Sequence, residues 1–218
     1  NMAKGPAMSR EEAVKAIEVG IGMVADLKEK GYNVLATGEM GIGNTTTSSA
    51  VCSVLLDQSV EKVTGKGAGL TNKDLEHKIE VIRQSIALNK VNADDPLDVL
   101  AKVGGLDIAG MAGCYIGGAA LNIPVFIDGF ISSVAALIAI RLVPECAPYL
   151  FPSHCSNEPA GRMILDAIGK QPYIFANMCL GEGTGAVMGF TIADYAFKAY
   201  WELPSFEQTN FGTYEELN

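Results

Sequence analysis

Two glutamates stand where a carboxylate is costly. Glu39, followed by Met40, and Glu182, preceded by Leu180, each lie inside an apolar, glycine-rich loop. Taking a carboxylate out of water costs on the order of several kcal/mol unless it is paired, and desolvation raises its pKa. A group held that way can accept a proton near neutral pH, so both residues are candidate general bases. The alternative is that each glutamate caps the backbone of its own loop. Three loops share a Gly-x-Gly core: Gly41-Ile42-Gly43, Gly65-Lys66-Gly67-Ala68-Gly69 and Gly181-Glu182-Gly183-Thr184-Gly185. The first runs into Asn44-Thr45-Thr46 and a helix start, where backbone amides and the helix N-terminus can receive an anion. It has no Gly-Lys-Ser/Thr, and Thr46 stands where a dinucleotide fingerprint needs its third glycine. Taken singly, each loop reads equally well as a tight turn.

Four other positions can carry chemistry. Lys78 either is a solvated residue of a charged helix that also bears Lys73, Asp74, Glu76 and His77, or meets a phosphate as a point charge. Asp128, between an apolar run and Gly129, is either a ligand-binding acid or the N-cap of the next helix. Ser156 lies in Ser153-His154-Cys155-Ser156-Asn157-Glu158-Pro159, where it can cap a helix or donate to an anion. His154 reads as a packed turn residue, and a Cys155–His154 nucleophile is disfavoured because neighbours on a turn seldom face each other. His77 and His154 have no partner at zinc-ligand spacing, so no metal site is expected.

These loops need a scaffold, and the sequence alternates accordingly. Ser9-Arg10-Glu11-Glu12 is a capping box, with Ala13, Ile17, Ile21 and Val24 at helical spacing, predicting a helix to about Lys30. Asn33–Thr37 reads as a buried strand and Thr45–Leu56 as a helix. Helices follow over 74–88, from Pro96, over 106–121, 131–142, 158–168 and 185–201. Strands are expected at 124–127, 149–152 and 174–178. The pattern is that of a three-layer α/β/α fold with a mostly parallel sheet, whose ligands sit at the carboxyl ends of the strands.

Composition sets the outer bounds. The 218 residues, 49% hydrophobic, can bury one sizeable core. A formal charge of −9 without a basic stripe argues against nucleic acid or anionic membrane as a partner. The five scattered cysteines read as buried free thiols in a reducing compartment. The opening residues do not read as a secretory signal, and the most apolar stretches are interrupted before bilayer length, so a soluble cytoplasmic protein is expected. Asn1 in place of an initiator methionine suggests a fragment.

The stretches NMAKGPAMSREEA (1–13), GEMGIGNTT (38–46), GKGAGL (65–70), DPLDVLAKVGGLDIAGMAG (95–113), IPVFIDGF (123–130), SHCSNEPAGR (153–162) and LGEGTGA (180–186) run in one order along the chain. In these the sequence strongly resembles the nicotinate-nucleotide–dimethylbenzimidazole phosphoribosyltransferases, which prepare the lower-ligand nucleotide of cobalamin. The resemblance implies that Gly41, Ile42, Gly43, Asn44 and Thr45, with Gly67, Lys78 and Ser156, bind the nucleotide and its phosphate. It places Asp128 and Glu39 near the ribose and its leaving ring, makes Glu182 the general base, and puts Ile42 and Leu180 against the benzimidazole. It further implies a homodimer without metal or cofactor, and a small helical domain, here residues 1–30 and 197–218, beside a nucleotide-binding domain over 31–196. Members of the family run well upstream of the position matched by Asn1, so a chain that binds the mononucleotide without turning it over is the alternative. An unrelated sugar-phosphate enzyme on the same sheet is a second.

Overall fold

The structure, a computed structural model, describes residues 1–209. The last residues of the expected 197–218 segment therefore lie outside the described residues. The opening capping box forms as the sequence spells it: the Ser9 hydroxyl accepts from the Glu12 amide at 3.1 Å, and the Glu12 carboxylate accepts from the Ser9 amide at 2.7 Å. It starts α1 (Arg10–Glu29), which buries Ala13, Ile17, Gly20 and Val24. That face lies along α6 (Leu106–Ala120) with the two backbones touching. A Cβ on Gly20 would sit 2.0 Å from the Gly110 carbonyl, and one on Gly113 would sit 2.0 Å from that of Ile17. Only glycines permit this approach.

Between them come β1 (Leu35–Ala36), α2 (Asn44–Leu55), the short α3 (Val60–Val63), α4 (Asn72–Asn89) and α5 (Pro96–Val103). Proline at the first position of α5 follows the cap that Asp95 gives to the Leu97 and Asp98 amides. After α6 come β2 (Val125–Ile127), α7 (Phe130–Leu142), a 3₁₀ turn over Pro144–Tyr149, β3 (Leu150–Pro152), α8 (Gly161–Ala167), α9 (Thr184–Glu202) and α10 (Phe206–Thr209). The strands form a parallel sheet in the order β1-β2-β3, with Phe126 opposite Ala36 and Phe151.

The expected layers are present. Phe126 points to one face, where α9 packs with Phe190 edge-on at 4.9 Å. Val125 and Ile127 are fully buried and point to the other, against α6 and α7. The core fills the space between those helices, α2 and α5. No helix among the described residues is long and apolar enough to cross a membrane.

Three expectations need correction. Residues 174–178 do not form a strand. Pairing stops at a single bridge between His154 and Ile174, because Asn177 takes a left-handed φ of 51° and turns the chain so that the Met178 carbonyl meets the Asn157 amide. The helix expected from Glu158 begins only at Gly161, since the Ser156 hydroxyl holds the Glu158 amide in a turn. The cysteines are free but not all buried: Cys179 is exposed, on the loop before Leu180.

Candidate active site

Asp128 leaves the carboxyl end of β2, 2% exposed. It does not cap its own helix: α7 starts from Gly129 with no side-chain cap. Its carboxylate instead accepts from the amides of Gly183 (3.0 Å), Gly185 (2.8 Å) and Ala186 (3.2 Å), the first turn of α9. That helix has no side-chain cap from its own N-cap residue, Gly183, so the acid on the central strand fixes where α9 begins.

The loop leading into α9 is held in an unusual shape. Gly181, Glu182 and Gly183 all have left-handed backbones, with φ of 78°, 59° and 84°. It also rides on the end of β1: a Cβ on Gly38 would lie 2.5 Å from the Gly183 amide nitrogen. The loops that carry Glu39 and Glu182 are therefore in contact. One expectation fails here, because Glu182 is exposed rather than held out of water. The loop is held from behind by Asp128 and the end of β1, and Leu180 beside it is 70% exposed.

Glu39 is half-buried and matches the expectation better. Burial raises its pKa above the usual carboxylate range, and nearby Asp107 adds to that, while a hydrogen bond from the Asn44 side chain works against it. The same Asn44 amide nitrogen also reaches Asp107 at 3.1 Å. Asn44 thus tethers two carboxylates at the start of α2, and Asp107, in the first turn of α6, is a member of the site that sequence reasoning passed over. A lone charge in an otherwise apolar helix was its signal.

α2 begins at Gly43, left-handed at φ 93° and without a side-chain cap. Behind it, Lys78 is 7% exposed, so the reading of a solvated surface lysine is overturned. Lys78, Ile82, Ser85 and Asn89 form the buried stripe of α4. The Lys78 ammonium donates to Thr45 Oγ1 at 2.8 Å and to the Gly65 carbonyl at 3.0 Å, and burial pushes its pKa down. Glu158 approaches from the other side. One of its carboxylate oxygens is buried without a partner, and burial raises its pKa against the pull of Lys78.

These groups enclose a cleft of about 300 Å³ at the carboxyl ends of the strands. Of the residues singled out from sequence, Glu39, Gly41, Ile42, Gly43, Asn44, Thr45, Gly67, Asp128, Ser156, Leu180 and Glu182 line it together, and His154 and Glu158 join them. Lys78 does not. It borders an adjoining hollow that shares Ile42, Gly43, Thr45 and Ala68 with the cleft.

A phosphoribosyltransferase family model matches residues 1–211. The chain belongs to this family. It is 54% identical over 217 residues to the nicotinate-nucleotide–dimethylbenzimidazole phosphoribosyltransferase of Ruminiclostridium cellulolyticum, covering 100% of this chain and 62% of that protein. The enzyme of that name from Acetivibrio thermocellus is 52% identical, with 99% and 61% covered. Among solved structures, CobT from Thermus thermophilus superposes with a TM-score of 0.91 at 34% identity, over 97% of this chain and 63% of that one. The chain thus spans about 62% of the length of the R. cellulolyticum enzyme.

Proposed function

We propose that this chain carries the nucleotide-binding domain of an enzyme that transfers ribose 5-phosphate from nicotinate mononucleotide to dimethylbenzimidazole, giving α-ribazole 5′-phosphate and nicotinate for the lower ligand of cobalamin. The observation that best supports it is the meeting of the Glu39 and Glu182 loops over one cleft beside an uncapped helix start. Two helix N-termini face that cleft, and they are not equivalent. The start of α9 already holds the Asp128 carboxylate, which repels a second anion. The start of α2, with Thr45 and Ser156 and with Lys78 close behind Thr45, is where the phosphate goes.

The chemistry then needs little. Nicotinate bound through its ring nitrogen is a pyridinium, so the electrons of the breaking C1′–N bond neutralise it and it leaves without an acid. The bare nitrogen of the benzimidazole attacks C1′ from the opposite face, inverting β to α, and its other nitrogen sheds a proton. Glu182 takes that proton, with Ile42 and Leu180 against the incoming ring and Glu39 near the leaving one. Fixing the two reactants side by side supplies roughly 7–11 kcal/mol, and the base adds roughly 3–5 kcal/mol. Residues 1–30 and the described part of the segment from 197 are assigned to a small helical domain. Five free cysteines fit a reducing cytoplasm, and the exposed Val187, Tyr195 and Trp201 on α9 fit a partner surface such as a homodimer.

A second reading, binding without turnover, is favoured by the open rim of the cleft, where Ile42 is 96% exposed. Incubation with nicotinate mononucleotide and dimethylbenzimidazole separates the two. Equal amounts of nicotinate and α-ribazole phosphate, formed only when both substrates are present, are expected. Tight binding of the mononucleotide by calorimetry with no nicotinate released would decide for the second reading.

A further inference from the structure

We propose that His154 accepts a hydrogen bond from a sugar hydroxyl of the bound nucleotide through a bare Nε2, a contact that rests on the nucleotide reading above. His154 follows β3 and is 2% exposed. Its backbone is fixed on both sides: the Ile174 amide donates to the Ser153 carbonyl and the Cys155 amide donates to the Ile174 carbonyl, each at 3.0 Å.

The ring has only one consistent protonation pattern. The Ser153 hydroxyl owns one hydrogen, and its oxygen lies 2.8 Å from the Ile127 carbonyl and 3.4 Å from that of Asp128, neither of which can donate. That hydrogen is committed to them. The 3.0 Å contact between Ser153 Oγ and His154 Nδ1 therefore requires the ring to donate. A neutral imidazole has a single N–H, which leaves Nε2 as a lone pair. Burial favours the neutral ring by pushing its pKa below the usual range, against the pull of Asp128.

Packing aims that lone pair. α9 closes the Nδ1 side, where a Cβ on Gly185 would sit 2.0 Å from the nitrogen. The Nε2 edge lies beside Gly129 in the wall of the cleft, which His154 also lines, and no donor among the described residues meets it. Asp128 is the more obvious sugar ligand, but its two oxygens already take three amides. A nucleotide with its phosphate at the start of α2 brings its sugar along the Gly129 wall of the cleft, where a hydroxyl is the donor that His154 lacks.

Calorimetry with nicotinate mononucleotide and its 2′-deoxy and 3′-deoxy forms tests this. Loss of one neutral hydrogen bond corresponds to roughly 2- to 12-fold in affinity, so the unsubstituted chain should bind one deoxy form weaker by that factor. His154→Phe should bind all three within about twofold of one another, whereas His154→Gln, whose amide oxygen still accepts, should keep part of the preference. A structural role would instead weaken all three equally and leave the preference intact. Retention of the full preference in His154→Phe, or no preference in the unsubstituted chain, overturns the contact. No binding of any of the three overturns the nucleotide reading and this contact with it. Should His154→Phe fail to fold, ¹⁵N NMR of the unsubstituted chain, which has two histidines, still decides: a proton on Nδ1 is expected, and one on Nε2 overturns the proposal.

Discussion

The loop at the start of α2 and the loop at the start of α9 are built from similar parts: a glutamate, glycines, an apolar residue and a left-handed glycine at the N-cap. They are finished differently. The α9 turn is filled from behind by Asp128, so its amides are spent and its glutamate is turned outward on a left-handed backbone. The α2 turn has no side-chain cap from its N-cap residue, Gly43. Its glutamate is drawn inward and tied by Asn44 beside Asp107. The difference teaches that one repeated pattern can leave its helix-start amides bound to a buried carboxylate in one copy and without a side-chain cap in the other, according to where a buried aspartate is placed.

The largest expected effect tests that division directly. Glu182→Gln should lower turnover about 100- to 10,000-fold in steady-state assays while nucleotide affinity changes by no more than a few fold. A larger loss of turnover in Glu39→Gln than in Glu182→Gln would exchange the two roles. Next in size is Asp128→Ala, which strands three amides, two of them buried, that now bond a carboxylate. Unfolding in urea should show a loss on the order of 3–5 kcal/mol. A loss below about 1 kcal/mol would mean that the α9 turn holds its shape without Asp128, and the contrast between the loops would go.

A smaller, pH-dependent effect, whose direction Glu158 shares, can be read at Glu39. Its carboxyl pKa is raised in the folded chain, chiefly by burial. Between the ordinary carboxylate value and the raised one, the folded state therefore holds more protons than the unfolded state, and stability falls as pH rises through that window. Glu39→Gln removes this slope, so its stability relative to the unsubstituted chain should grow with pH across the window and level off above it. Parallel stability curves for the two proteins would show that Glu39 is not desolvated in solution.

What was legible in the sequence was local. The Ser9–Glu12 box and the Asp95–Pro96 helix start each declare themselves within about four residues, and each forms as read. What was missed depends on distance. Nothing near Asp128 says that its partners lie 55 to 58 residues away. Nothing in 174–178 reveals that only one strand end is within reach, or that Asn177 reverses the backbone. Lys78 is an intermediate case. Its charged neighbours advertise a surface, yet Ile82, Ser85 and Asn89 continue its own stripe at helical spacing, and that periodicity carried the answer. The exposure of Glu182 is not legible from its apolar neighbours, because Leu180 and Ile42 form an open rim instead of a buried wall.

The smallest effect separates function from architecture at Glu182 itself. A non-glycine residue in the left-handed region costs about 1–2 kcal/mol, and Glu182 adopts it between two glycines that do so freely. Among the described residues its side chain accepts no hydrogen bond that would offset this cost. Glycine in its place relieves the strain but frees the unfolded chain, a loss of about 0.5–1 kcal/mol. Glu182→Gly should then raise stability by about 0.5–1 kcal/mol while removing turnover. Such opposite signs at one position are what a strained residue kept for chemistry produces. Destabilisation by more than about 1 kcal/mol would mean that the carboxylate ties its own loop together, and that the outward turn of this glutamate serves the fold.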